Sequence, residues 1–362
     1  MRIRNITFLI IITIEIAIIL FLAIYKGNHC IPGYLALGAS ILLFIATFWV
    51  MLFPKIEIIK PTGSYKIEYT EEFYKDESRI ETYKNDGSKR ELQIGIWYSK
   101  ELNLNEAPLV IFSHGSFGTI NNNKTLCEEL ASRGYVVVSV SHTYHAFETK
   151  LSDGSTIKIS NEFLNEILSD NPKKNIELSL EHFKKWMDIR VKDLSFIIDI
   201  IKNNSTLHPI YKLIDTNKII AIGHSLGGNA CLGLPRYRDD ISAVIALESA
   251  FMCDITGIEN NKFIFTDLEY PVPVLNIYSD SSYSHLGEWI QYEQNYKLLN
   301  SNNPKYVNKY ISGIGHMHLC DFQLQSPFLS WILSGTDSKT SAKENLSLIN
   351  QYVIDFLNEN NL

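Results

Sequence analysis

The chain is poor in the residues that would staple it, hold a structural metal or bind nucleic acid. Its five cysteines (Cys30, Cys127, Cys231, Cys253, Cys320) are scattered, odd in number and never spaced CxxC. That argues against a disulfide framework and a structural zinc site, and it suits a reducing compartment. Basic residues are outnumbered, 33 Lys and Arg against 40 Asp and Glu, for a formal charge of −7. With no basic block, the chain lacks the electrostatic footprint of a phosphate-backbone binder, so no nucleic-acid partner is expected. Internal repeats are missing, as is low-complexity sequence outside an apolar N-terminus. The 362 residues are 46% hydrophobic and 20% charged, which excludes a disordered or fibrous chain.

Apolar sequence is concentrated at one end. Ile6 to Ile24 is almost wholly apolar apart from Thr7, Thr13 and Glu15, and Ile31 to Phe53 is a second such stretch. Each is long enough to cross a bilayer as a helix. Trp49 lies near an end, where an interfacial aromatic is expected, and Lys26-Gly27-Asn28-His29 makes a short polar turn. Residues 1–54 therefore read as a membrane hairpin with spans at 6–24 and 31–53. A cleaved signal peptide is the competing reading of the first stretch, because Arg2 and Arg4 resemble its basic start. The run is long for that role, and no A-x-A-like cleavage site follows it. Arg2 and Arg4 precede the first span, Lys26 alone marks the turn, and Lys55 and Lys60 follow the second. The positive-inside rule then puts both termini, and the domain that follows, in the cytoplasm. Glu15 has no second charge in the spans to build a pathway with, so it is expected to make a packing or oligomer contact.

Residues 55–362 show an α/β alternation long enough for one large core. Hairpins are suggested around Asp86-Gly87 and Asp153-Gly154. Strands are expected at Leu92 to Tyr98, Leu109 to Phe112, Tyr135 to Val140, Lys218 to Ile222, Ala243 to Leu247, Val274 to Tyr278 and Lys305 to Ile311. Unbroken apolar runs such as Val136-Val137-Val138 suit a mostly parallel sheet with helices on both faces. Helices are expected at Lys124 to Arg133, Trp186 to Lys202, His285 to Leu299 and Ala342 to Leu357. The interval 141–185 is too long for a simple loop. It carries a hairpin signal and a short helix, Glu162 to Leu168, and reads as a lid-like insertion.

The strongest chemical signal is Gly223-His224-Ser225-Leu226-Gly227, a G-x-S-x-G between an expected strand and an expected helix. That context is the one a nucleophile elbow requires, with Ser225 presented above the carboxyl ends of the strands. Upstream, the strand Leu109 to Phe112 runs into Ser113-His114-Gly115-Ser116-Phe117-Gly118. Such a loop supplies one backbone N–H of an oxyanion hole and the residue after the nucleophile supplies the other, here Ser116 and Leu226. His316, in the glycine-flanked loop after the last strand, is the expected base, with His318 its nearest competitor. His142, His145, His182, His208 and His285 read as surface or lid residues, and His142 and His145, which follow a strand's carboxyl end, are also candidates for the pocket lining. Two acids lie between serine and histidine, as the chain order demands: Glu248 after one strand and Asp280 after the next. Asp280 holds the more usual place in the fold, and the residues alone leave both open.

These segments resemble the platelet-activating-factor acetylhydrolase (isoform II) group of α/β-hydrolases, from about Leu92 to about Phe322. The resemblance is carried by Phe112-Ser113-His114-Gly115, Ile222-Gly223-His224-Ser225-Leu226-Gly227-Gly228, Ala246-Leu247-Glu248-Ser249-Ala250-Phe251-Met252 and Ser312-Gly313-Ile314-Gly315-His316. Met187-Asp188-Ile189-Arg190-Val191-Lys192-Asp193-Leu194 also looks like the helix that precedes the elbow. The resemblance implies a Ser225, Glu248, His316 triad, with Glu248 where the family has Asp and Asp280 as the alternative acid. It implies short or oxidised acyl groups on phospholipid-like esters, and no metal or other cofactor. The N-terminal hairpin lies outside it.

The sequence thus predicts an α/β-hydrolase domain behind two transmembrane helices, acting as a membrane-anchored serine esterase through an acyl-enzyme. Its partners would be an ester substrate and the bilayer. An acyltransferase or thioesterase on the same triad is the nearest alternative, and acceptor-dependent product would reveal it. A non-catalytic membrane-anchored binding module is the alternative from another class, and a missing triad member would be its mark.

Overall fold

The computed structural model describes residues 3–25, 31–336 and 338–362, so the expected polar turn at Lys26-Gly27-Asn28-His29, together with Arg2 and Cys30, lies outside the described residues. The chain opens with α1 (Ile3–Tyr25) and α2 (Ile31–Leu52), both long and apolar enough to cross a membrane. Phe8 near the start of α1 meets Phe48 near the end of α2, with ring centroids 6.2 Å apart, so the helices run antiparallel. Between them the Thr47 hydroxyl donates to Glu15 Oε1 at 2.9 Å, a packing contact within the pair. Their outer faces expose Leu20, Phe21, Leu35, Leu42 and Trp49.

The remaining elements build one eight-stranded sheet and its covers. A long hairpin, β1 (Glu68–Ile80) with β2 (Lys89–Tyr98), is followed by β3 (Ala107–Ser113), α3 (Lys124–Ala131) and β4 (Val136–Ser141). A small hairpin of β5 (Glu148–Lys150) and β6 (Thr156–Lys158) then leads to α4 (Asn161–Ser169) and the long α5 (Ile176–Asn203). Next come β7 (Ile214–His224), α6 (Leu226–Tyr237) and β8 (Ile241–Leu247). The hairpin of β9 (Ile255–Glu259) and β10 (Lys262–Phe265) precedes β11 (Val274–Tyr278), α7 (Glu293–Leu299) and β12 (Tyr306–Tyr310). Three helices close the chain: α8 (Phe322–Gln325), α9 (Pro327–Ser334) and α10 (Ala342–Glu359).

Strand order is β1-β2-β4-β3-β7-β8-β11-β12. The first three strands pair antiparallel, and from β4 onward every pairing is parallel. Successive side chains of the central strands point to opposite faces, so each unbroken apolar run feeds two cores. Leu109 and Ile111 face α5 and α6, whereas Val110 and Phe112 face α3 and α10.

Three expectations needed correction. The long helix starts at Ile176 rather than Trp186, capped by the Asn175 side chain on the Leu178 N–H, so the insertion ends ten residues sooner than expected. The segment from His285 is helical only from Glu293, and before that it forms short 3₁₀ turns. Gly287 and the bulky Trp289-Ile290 pair are poor helix formers, and tertiary contact bends this stretch so that Gln291 and Tyr292 face a cavity. The β9–β10 hairpin was missed. Its Asn260-Asn261 turn, with φ of 50° and 58°, has the left-handed pair that two-residue hairpin loops favour, a signal that was there to be read.

Candidate active site

Ser225 sits between β7 and α6 with φ 54° and ψ −128°, a backbone state that a serine adopts only when its surroundings impose it. Here β7 and α6 leave no alternative. A Cβ at position 227 would lie 2.1 Å from the Ser113 carbonyl oxygen, so only glycine lets α6 start so close to β3. The turn is pinned from β8 as well. The Ser225 N–H donates to the Leu247 carbonyl at 2.9 Å, and the Ser249 hydroxyl donates to the Ser225 carbonyl at 2.8 Å.

Glu248 follows β8, also in a left-handed conformation with φ 52°. Its Oε2 lies 2.9 Å from His316 Nδ1. The Ser279 hydroxyl reaches both carboxylate oxygens, at 2.7 and 2.8 Å, and the Ser282 hydroxyl donates to Oε1. Burial alone would raise this carboxyl, but His316 and the two serines outweigh it and hold the group down at about 2. Asp280 is placed differently. It accepts from the Gly313 N–H at 3.0 Å and the Tyr310 hydroxyl at 2.5 Å, and so ties down the histidine loop without touching the imidazole. His318 is buried, and its Nδ1 accepts the Gly315 N–H at 3.1 Å.

A cavity of about 300 Å³ brings Ser116, Ser225, Leu226, Glu248 and His316 together. Trp186 of α5 and Ile167, Asp170 and Pro172 of the insertion also line it. His224, beside the serine, tilts over His316 with ring centroids 4.7 Å apart. Burial, and then the neighbouring imidazole, depress it to about 3, so it stays neutral and sets no competing charge beside His316.

The expectation that His142 and His145 lie at the surface, in the lid or on the pocket lining is overturned. Both are wholly buried behind the loop of His114 to Gly118. His142 bridges the Ser113 hydroxyl (2.8 Å) and Asp193 (2.9 Å), and Asp193 is clamped by Arg90 at 2.7 and 3.0 Å. His145 stacks on Phe163 and accepts from Arg190 Nε at 3.1 Å, while Arg190 Nη1 donates to the His114 carbonyl at 2.6 Å. The helix carrying Arg190 and Asp193 is legible in the sequence but this network is not, because its partners come from four distant segments. Among the described residues, no cluster of His, Cys, Asp and Glu could hold a metal ion.

The chain is similar in sequence and in fold to known proteins. A curated relative from Arthroderma benhamiae, named "Probable 1-alkyl-2-acetylglycerophosphocholine esterase", is 25% identical over 181 residues, which cover 49% of this chain and 41% of that protein. The chain thus spans about two fifths of that relative's length. Among solved structures, the chain is similar to a ferulic acid esterase from Streptomyces cinnamoneus, with TM-score 0.59 and 21% identity over 84% of this chain and 92% of that one. That likeness shows the α/β-hydrolase fold. The family described as platelet-activating factor acetylhydrolase, isoform II, matches residues 96–362, nearly the whole sheet domain. The chain belongs to that family of ester hydrolases.

Proposed function

We propose that this protein is a membrane-anchored serine esterase that cleaves short-acyl, phospholipid-like esters through an acyl-enzyme. The observation that carries the reading is the pairing of His316 Nδ1 with Glu248 at 2.9 Å, on the same cavity as the strained Ser225. With Nδ1 engaged, Nε2 is the imidazole atom left to take the Ser225 proton as the oxygen attacks the ester carbonyl. Glu248 stays ionised, orients the ring and stabilises its cationic form. The Ser116 and Leu226 amides hold the tetrahedral oxyanion, a contribution worth roughly 3 kcal/mol per donor. His316 then returns the proton to the leaving alcohol, and water hydrolyses the acyl-enzyme with the same histidine as base.

A cavity of about 300 Å³ is at the small end for ligand sites and favours a short acyl group. The relative's name points to an acetyl ester of a glycerophosphocholine. The insertion over the cavity is read as a lid. A bilayer around α1 and α2 would cover apolar faces that would otherwise stand in water, and the positive-inside reading keeps the esterase domain cytoplasmic.

Labelling by a fluorophosphonate probe tests the chemistry, since the probe needs an activated serine and no knowledge of the substrate. Wild type should label and Ser225→Ala should not. A folded wild-type chain that takes no label would sink the esterase reading. Protease protection in inverted vesicles tests the orientation: digestion of the sheet domain from outside is expected, and full protection would reverse the topology.

A further inference from the structure

The apolar hairpin and the histidine loop are joined by one short helix. Phe8 of α1 is buried, although most of its neighbours on α1 are exposed. Its ring meets Phe328 of α9 edge-on at 4.8 Å, and Phe328 packs edge-on against Trp331 at 5.6 Å. α9 is capped at both ends, by the Ser326 side chain on the Leu329 N–H and by Gly335 in the left-handed conformation.

The other end of α9 sits on the loop that carries His316. Ser334 Oγ accepts the Met317 N–H at 2.9 Å. The Ser334 carbonyl accepts the Ser281 hydroxyl at 3.4 Å, and Ser281 Oγ accepts the His316 N–H at 2.9 Å. The backbone amides of His316 and of the residue after it are therefore both referred to one residue of α9. Contact is close enough that a Cβ at position 315 would lie 2.5 Å from the Ser334 Cβ, which is why the loop has glycine there. Glu248 fixes one nitrogen of the imidazole, but where the other nitrogen stands relative to Ser225 depends on where this backbone is held.

We propose that Ser334 is a positioning residue for His316, and that the N-terminal hairpin, through Phe8 and Phe328, is the abutment holding α9 against the histidine loop. The proposal rests on the esterase reading above. It gives the hairpin a part in catalysis beyond anchoring, one that the family match from residue 96 onward leaves out. A misplacement of about 1 Å at a reacting group costs on the order of 100-fold in rate, so partial loosening should be visible in kcat.

The test uses the full chain in detergent micelles, with p-nitrophenyl acetate as substrate and fluorophosphonate labelling of Ser225 as a second readout. Ser334→Ala should lower kcat by roughly tenfold with KM unchanged, and Ser334→Thr, which keeps an acceptor hydroxyl, should recover most of it. Phe8→Ala should lower kcat about threefold and Phe8→Leu much less, while Leu20→Ala on the outer face of the same helix should have no effect. Circular dichroism and thermal unfolding establish that each variant is folded. If wild type is active and folded Ser334→Ala matches its kcat, or Phe8→Ala matches Leu20→Ala, the inference falls and the esterase reading stands. If wild type neither labels nor turns over, both fall together.

Discussion

Two constellations of serine, histidine and carboxylate lie within this domain, one partly open and one sealed. Ser225, His316 and Glu248 share a cavity. Ser113, His142 and Asp193 form a second set, with Ser113 Oγ 2.8 Å from His142 Nε2 and His142 Nδ1 2.9 Å from Asp193 Oδ2. By hydrogen-bond geometry the second set is at least as well made. It has, however, no exposed surface at any of its three residues. Ser113 ends an ordinary strand, so nothing presents its hydroxyl to a substrate. Asp193 is shared with Arg90 and Arg79, and His142 is depressed to about 4 by burial and then by Arg190. The same residue types make an interior brace in one place and a candidate active site in the other. Access to a cavity and a strained turn under the serine mark the difference.

Substitutions can break or sharpen that contrast. The largest effect should come from the serines. Ser225→Ala should cut turnover by at least about 10³-fold, whereas Ser113→Ala should keep full fluorophosphonate labelling and lose only about 1–3 kcal/mol of stability, leaving His142 Nε2 unsatisfied. Loss of label in a folded Ser113→Ala chain would make the contrast untenable.

The carboxylates should separate similarly. Glu248→Gln should lower kcat on the order of 10³- to 10⁴-fold, because it disturbs the tautomer and charge of His316, and should cost up to roughly 3 kcal/mol of stability near neutral pH. Asp193→Asn should cost roughly 3–5 kcal/mol of stability, read by urea unfolding, because it strips Arg90 of a buried partner.

Acid unfolding should resolve the two sites in pH. The folded-state value of His142 is about 4, below the ordinary 6.5, so its contribution is full above 6.5 and is lost as pH falls through 4. Glu248 stands at about 2 against 4.5, so its contribution is full above 4.5 and is lost as pH falls through 2. Each is worth roughly 3 kcal/mol. His142→Gln should flatten the upper window of a stability–pH curve, and Glu248→Gln the lower one. Identical curves for the two variants would contradict the assignment.

The smallest effect is expected at Asp280, which ties the loop at Gly313 and Tyr310. Asp280→Asn should cost about 1 kcal/mol and leave kcat within a few-fold. A loss comparable to that of Glu248→Gln would transfer the acid's role to Asp280.

The elbow around Ser225, the glycine loop before Ser116 and the position of β11 were all legible, because each depends on residues a few places apart. A sharp strand-to-helix turn needs glycine at set spacings, and a strand buried on both faces needs an unbroken apolar run. Chain order alone could not choose between Glu248 and Asp280, since both follow adjacent strands and both reach toward the histidine loop. In the folded chain Ser279 and Ser282 hold Glu248 against His316 Nδ1, while Asp280 turns to Gly313 and Tyr310. The sealing of His142 and His145 was equally hidden, because their partners Asp193 and Arg190 lie 51 and 45 residues away along the chain and share no local pattern. The same holds for Phe8 against Phe328. Local chemistry determined which residues could react and which segments could form strands. Tertiary packing alone decided which of two serine–histidine–carboxylate sets is open to a substrate, because exposure belongs to the assembled interior and to no single segment.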